Sequence, residues 1–300
     1  MKIVVVGSVA YDTIETPSDK REYVLGGSAV YFATAASHFA PVGIVGVVGS
    51  DYSLNQLAFL HQRGVDLSGI EIKEGKTFHW AGRYLENLNR RETLKTELNV
   101  FQDFKPALPP HFLDAEYLFL GNINPELQEE VLNKVKKPEY VFMDTIILWI
   151  NTQRDALLRV LKRVDGVVFN DEEVTLLTGE SNLIRAAKAV IKMGPSHVIV
   201  KKGEHGSFLI HNEDIFFAPA FPTELVIDPT GAGDTFAGGF MGYLAKNGND
   251  EDKVFRQALL YGSIMASFCV EGFSIERLKE VQMPEVQKRF EKFKQMLVFE

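Results

Sequence analysis

The segment DPTGAGDTFAGGF, Asp228 to Phe240, sets Gly231, Gly233, Gly238 and Gly239 beside two aspartates where the chain turns helical. Glycine at 231 and 233 opens backbone angles closed to other residues and lets amide N–H groups approach a ligand. The helix predicted over Gly233 to Lys246 points its unpaired amides and positive dipole end back at that turn, so turn and helix together make an anion hole. The dipole contributes about 0.3 to 1 kcal/mol near a surface and roughly 2 when partly buried, so a polyphosphate held there needs a metal or basic side chains as well. Asp234, in the first turn, would repel an anion. It is placed instead to take a proton from a hydroxyl that attacks phosphorus. The same residues also read as a helix cap and a tight turn, and the length of the glycine-rich run favours the chemistry. Gly238 and Gly239 each cost a helix about 1 kcal/mol relative to alanine, which indicates close backbone packing.

Other phosphate signatures fail. GIEIKEGKT, Gly69 to Thr77, approaches a Walker A motif, but the glycines are spaced wrongly and a strand follows rather than a helix. After the first strand VVVGSVAYD offers one glycine, which argues against a dinucleotide fold. The histidines show neither HExxH nor a Cys/His cluster, so a zinc site is not expected. A formal charge of -8 argues against nucleic acid as a partner. The single cysteine, Cys269, excludes an internal disulfide and suits a reducing, cytoplasmic setting. The apolar run in MKIVVVGS is too short for a signal peptide or a membrane span and reads as a buried strand.

The elements that must position these residues follow from the pattern of apolar runs. KIVVVG, GIVGVVG, AEYLFLGN, EYVFMD, DGVVFN and HVIVKKG are strand-length and mostly separated by amphipathic helical segments. Helices are predicted over Ser28–Ala40, Ser53–Arg63, Pro125–Lys137, Thr152–Arg163, Leu183–Met193, Gly233–Lys246, Asp252–Val270 and Pro284–Leu297. This alternation predicts one α/β domain over residues 1–300, a doubly wound, mostly parallel sheet with helices on both faces. Residues 9–25 and 70–104 break the pattern and predict a small sheet standing off the main one. In it two strands meet at a polar turn around Glu86 to Arg90, with Phe78, Trp80 and Tyr84 on one face of the first and Leu94, Leu98 and Val100 on one face of the second. Ligands bind beyond the carboxyl ends of such parallel strands, so a sheet projecting there would serve as a lid.

DPTGAGDTFAGGF resembles the C-terminal signature of the ribokinase-like, or PfkB-type, carbohydrate kinases. GGSAVYFATAASHFA sits where that family carries its N-terminal glycine pair, and GSVAYD, FNDEEV and KKGEHG follow the family's order along nearly the whole chain. The resemblance implies a ribokinase-like fold and transfer of the γ-phosphoryl group of ATP, with Mg2+, to a hydroxyl of a small sugar or related polyol. By it Asp234 is the catalytic base, and Gly231, Ala232 and Gly233 frame the anion hole. Asp12 binds substrate hydroxyls and Gly26 and Gly27 form the lid hinge. Asn170 and Glu173 match an NxxE motif that organises magnesium and phosphates, although the same pair spells a capping box. Lys202, Gly203 and Gly206 would lie along the nucleotide, though the glycines also suit a hairpin. Ser263 and Ser267 would lie near the base, and Asp228 would help hold a monovalent cation, as in some members. Where sugar kinases of the family place an asparagine that grips the sugar, this chain has Tyr31, a ring that could stack on a base or sugar face.

Tyr31 and the aromatic set Phe78, His79 and Trp80 therefore also admit a nucleoside acceptor. A catalytically silent binder of sugar or nucleotide is a further alternative, and the presence of Asp234, Asn170 and Glu173 counts against it. An apolar lid face that the cleft covers only in part predicts a homodimer through the lid.

Overall fold

The apolar runs are strands. The computed structural model describes residues 1–86, 88, 90–248 and 251–298. In chain order the strands are β1 (Ile3–Val6), β2 (Ala10–Glu15), β3 (Lys20–Gly26), β4 (Val42–Gly49), β5 (Asp66–Lys73), β6 (Phe78–Tyr84), β7 (Arg91–Glu97), β8 (Tyr117–Leu120), β9 (Tyr140–Met143), β10 (Gly166–Asn170), β11 (His197–Lys201), β12 (Ser207–His211) and β13 (Asp214–Ala218). Nine of them form one sheet in the order β13-β12-β11-β10-β9-β8-β1-β4-β5. It is parallel from β5 to β11, and β12 and β13 close it as an antiparallel edge.

Side chains of a strand alternate between faces, and here both faces are dry. Ile3, Val5, Phe119 and Val168 enter one core with the helices Ser28–Ala36, Ala232–Asn247 and Glu251–Cys269. Val4, Val6, Leu118, Leu120, Val167 and Phe169 enter the other, under Pro125–Leu132, Arg154–Leu161 and Leu183–Ile191. The helices form where the periodicity places them, most of them trimmed at an end. The helix predicted over Thr152–Arg163 begins only at Arg154 and runs to Leu161, and a separate short helix, Ile147–Thr152, precedes it.

The smaller sheet has the order β3-β2-β6-β7, with β2 and β6 parallel and the outer pairs antiparallel. It is narrower than the sequence suggests: residues 66–73 pair with β4 as the edge of the large sheet, so the near-Walker segment is a strand and a turn. Asn87 and Asn89, in the expected turn around Glu86 to Arg90, lie outside the described residues. The expected apolar face of the second lid strand does not form. β7 ends at Glu97 and is exposed almost throughout, while Val100 sits in a 3-10 turn and is buried in the main core. On the first strand Trp80 and Tyr84 do share a face, and it packs with Ile14, Val24, Ile227 and Phe273 of the same chain. The opposite face is polar and paired, by Arg83 with Glu15 and by His79 and Lys95 with Glu97. The uncovered apolar surface that argued for a lid-to-lid dimer thus shrinks to Leu94 and Leu98.

Close helix packing explains the glycine pair at 238 and 239. A Cβ on Gly238 would stand 2.2 Å from the carbonyl oxygen of Phe32, and one on Gly239 would stand 2.9 Å from that of Tyr261. Helix propensity alone makes Gly238→Ala stabilising by about 1 kcal/mol. Overpacking costs roughly 1 to 3 kcal/mol, and a backbone carbonyl cannot swing aside as a side chain can, so clash should win. Gly238→Ala is expected to lower the urea midpoint at unchanged m-value. A raised midpoint would show that the two helices part freely.

Candidate active site

Four of the parallel strands bring their carboxyl ends to one place. β9 is followed at once by Asp144, β10 ends on Asn170, β11 ends on Lys201, and Gly121 follows β8. Facing them is the start of the helix Ala232–Asn247, whose N-cap is Gly231 at φ 74°. That conformation strains any residue with a Cβ, and a Cβ there would also lie 2.3 Å from the Tyr31 ring. Asp228 is fully buried and ties the turn down: Oδ1 accepts from the Thr230 N–H at 2.8 Å and Oδ2 from the Ser274 N–H at 3.0 Å. The Ala232 N–H closes the turn on the Pro229 carbonyl at 3.2 Å. From above, the smaller sheet reaches the same turn, where the Thr230 hydroxyl donates to the Tyr84 hydroxyl at 3.1 Å.

Carboxylates crowd this place. Asp234, in the first helical turn, is pushed up to about 7 by burial and then by the charge of Asp144, while Lys201 and Arg91 pull it back. Asp12, on β2, is pushed up to about 8 by burial, Asp228 and Asp234. Gly26 closes over it, for a Cβ there would fall 2.1 Å from Asp12 Oδ2. Glu173 is pushed up to about 8 by burial and Asp144. Burial raises Asp144 too, and Lys201 opposes it from 3.1 Å. Two cations answer: Lys201 from β11, and Arg91 from the smaller sheet, which lies 5.2 Å over the Trp80 ring and whose charge reaches Asp12, Glu173 and Asp234. The excess is negative. Oxygen donors with unrelieved charge suit a hard divalent cation that keeps part of its water shell, although among the described residues no three His, Cys, Asp or Glu side chains form a ready-made cage.

The remaining expected residues are placed as follows. Asn170 and Glu173 make a complete capping box: Asn170 Oδ1 accepts from the Glu173 N–H at 2.8 Å, and Glu173 Oε2 accepts from the Asn170 N–H at 2.7 Å. Gly203 opens a short 3-10 turn in the hairpin from β11 to β12, and Gly206 ends it against Ala218. Ser263 accepts from the Phe221 N–H and donates to the Pro219 carbonyl, and Ser267 accepts from Arg289 of the C-terminal helix. Gly27 caps the helix Ser28–Ala36. Tyr31, expected on the substrate side, is 1% exposed and lies beneath the glycine turn with Asp12 and Asp228 near its hydroxyl.

Sequence reasoning passed over Asp144, Lys201 and Arg91. The first two had a signal. Each ends an apolar run of the parallel sheet, where ligand-binding side chains belong. KK at 201–202 also offers two neighbouring lysines where that strand ends, of which Lys201 is the last strand residue and Lys202 begins the following turn.

A model of the pfkB family carbohydrate kinases matches residues 1–275. The chain belongs to that family. It is a kinase, a phosphotransferase with an alcohol group as acceptor. A cytidine kinase of Thermococcus kodakarensis is 33% identical over 247 residues, which cover 80% of this chain and 87% of the relative. The ribokinase of Bacillus subtilis is 27% identical over 292 residues, covering 91% and 94% of the two chains. An E. coli structure solved with ATP and Mg2+ superposes with a TM-score of 0.80 at 21% identity, covering 97% of this chain and 99% of the other, which shows the shared fold. The match to the family model ends before the helix Met283–Leu297, which this kinase packs under Phe221 and Ser267.

The position of Tyr31 generates a test. A buried ring that fills the space under Gly231 should cost stability when removed, as large-to-small core changes do by about 3 kcal/mol or more. Tyr31→Asn is expected to lower the melting temperature and reduce turnover on all acceptors alike. An unshifted melting temperature with a changed order of acceptors would move the ring to the substrate side.

Proposed function

We propose that this cytoplasmic kinase transfers the γ-phosphoryl group of ATP to a hydroxyl of a nucleoside, with Asp234 as general base. One observation carries the reading: the Asp234 carboxylate stands in the first turn of a helix whose glycine-capped start faces Asp12 and the carboxyl ends of the sheet. A hydroxyl bound by Asp12 lies on the side of Asp234. Asp234 takes its proton as the oxygen attacks phosphorus, and the turn at Gly231 to Asp234 receives the transferred group's charge. The N–H groups and dipole of the helix start are fixed beforehand by Asp228 and Tyr84, so they need not reorganise during the reaction. Ala232 contributes to the shape of the turn more than to its donors, because its own N–H is used within it.

Mg2+, when bound, would neutralise phosphate charge, with Glu173 and Asn170 at its water shell. The same pair meanwhile caps the helix Asp171–Thr178. Lys202, Gly203, Gly206, Ser263 and Ser267 border the nucleotide's end of the cleft mainly as scaffold, and Asp228 serves the turn rather than a monovalent cation. The smaller sheet is a lid. It excludes water, the competing acceptor, and brings Arg91 to the phosphates.

A nucleoside is favoured by the likeness to the cytidine kinase. The likeness to ribokinase favours a free pentose as the second reading. A panel of cytidine, other nucleosides, ribose and fructose decides between them. The nucleoside reading expects the highest kcat/KM on a nucleoside, and a pentose that exceeds every nucleoside would reverse it.

The base assignment has a sign. Asp234 acts when ionised, and its ordinary carboxylate value is raised to about 7, so kcat/KM should climb with pH and level off above neutrality. Asp234→Asn should lower turnover at least about a hundredfold while ATP still binds. A variant within threefold of the parent, or a parent profile flat across neutral pH, removes Asp234 from the role.

A further inference from the structure

Lys201 stands where a cation is out of place without an anion. Its Nζ reaches the first turn of the helix Ala232–Asn247 so closely that a Cβ on Gly233 would lie 3.0 Å from it. Helix starts carry the positive end of the dipole and repel a cation. The side chain is only 15% exposed, and an ammonium gives up strong hydration when it is enclosed. Among the described residues Asp144 Oδ2, at 3.1 Å, is its hydrogen-bond partner, which leaves two of its three N–H donors for other use. Asp144, Glu173 and Asp234 together hold it charged. An ion pair kept for stability alone would be a weak design, since a buried pair is often no better than an apolar packing of equal volume.

We propose that Lys201 is a phosphate-binding residue of this kinase, its ammonium joining the helix start in gripping the terminal phosphoryl group of ATP, and that Asp144 is the residue that positions it. The inference rests on the reading of the site given above. An anion between the ammonium and the helix start turns two mutually repelling positive ends into two ligands of one group. Bare Gly233 leaves room for the ammonium beside the helix start. Asp144 holds Nζ from the neighbouring strand ends and keeps it from collapsing onto Asp234, which must stay available to the acceptor hydroxyl. Lysine suits the place better than arginine, because a compact point charge fits beside Gly233 where a planar fork needs more room.

The test is the binding of ATP, ADP and AMP, measured by titration calorimetry without acceptor on the full chain and on Lys201→Met, Lys201→Gln, Lys201→Arg, Asp144→Asn and Asp234→Asn. A contact to the terminal phosphoryl group should lower the ratio of ATP to AMP affinity at least about tenfold in Lys201→Met and Lys201→Gln, the scale of losing a charge-assisted hydrogen bond. Lys201→Arg should restore part of that ratio, and Asp144→Asn should lower it less than loss of the lysine does. A merely structural lysine would weaken all three nucleotides together, and an unchanged ratio in both neutral variants overturns the inference. Should the neutral variants not fold, the ratio in Asp144→Asn decides, and no change there overturns it equally. The wider reading fails separately: it falls if the parent binds no ATP or if Asp234→Asn keeps its turnover, whatever Lys201 does.

Discussion

The structure depends on how much negative charge the carboxyl ends of its parallel strands can carry. Asp12, Asp144, Glu173 and Asp234 converge there; burial raises all four, and the charge of neighbouring carboxylates raises Asp12, Glu173 and Asp234 further. Two like charges about 4 Å apart repel by roughly 4 kcal/mol in the environment of a protein surface, so such a set is tolerable only if cations share the space. Lys201 is the fixed one and Arg91 comes with the smaller sheet. A nucleotide brings still more negative charge, which makes a divalent ion part of the balance rather than an addition to it. Phosphoryl transfer needs this arrangement, because the protein forms no covalent bond to the phosphoryl group and works by position and charge.

That charge can be concentrated because the scaffold beneath it is apolar and rigid. The strands that deliver Asp144, Asn170 and Lys201 run through two dry cores, so their ends are fixed by packing on both sides. The turn at Gly231 gains its shape from the inside. The Tyr31 ring fills the volume under it, Asp228 holds two of its neighbouring N–H groups, and the helices meet through Gly238 and Gly239 without side chains between them. A looser turn would let the helix start wander by the distance over which an oriented donor loses its worth.

Much of this was legible in the sequence. The strands announced themselves because a parallel sheet covered on both faces must be written in unbroken apolar runs, and DPTGAGDTFAGGF marked a turn that no ordinary residue could make. Asp234 stood out because a carboxylate is at odds with a helix start suited to anions, and the structure places it in the first turn of that helix. Tyr31 was not. Its type suggested a ligand contact, and only the tertiary packing shows that the ring spends itself on Gly231. Lys201 and Lys202 could not be told apart without the register that turns one of them toward the cleft. Arg91 carried no local signal at all, since nothing in RRETLKTE shows that the strand will fold across a helix start more than a hundred residues away. Val100 misled for a related reason: alternation was extended past Glu97, where the backbone had already left the strand and taken its apolar residue into the main core.

The same register explains why the smaller sheet can close over charge without becoming sticky. Its faces are separated by parity. Trp80 and Tyr84 point toward Ile227 and Phe273 of the main domain, while Glu15, His79, Arg83, Lys95 and Glu97 pair among themselves on the other side. Exposed ion pairs of this kind contribute little to stability, with a median of about 0 to 1 kcal/mol, so their use here is to keep an outer face soluble. Stability of closure comes from the inner face, from the rings over the turn and the Tyr84 to Thr230 hydrogen bond. That bond joins the smaller sheet to the glycine turn at the helix start. The smaller sheet and the glycine turn are therefore held together as one unit beside Asp234, so that a shift of either would disturb the helix start on which that carboxylate stands.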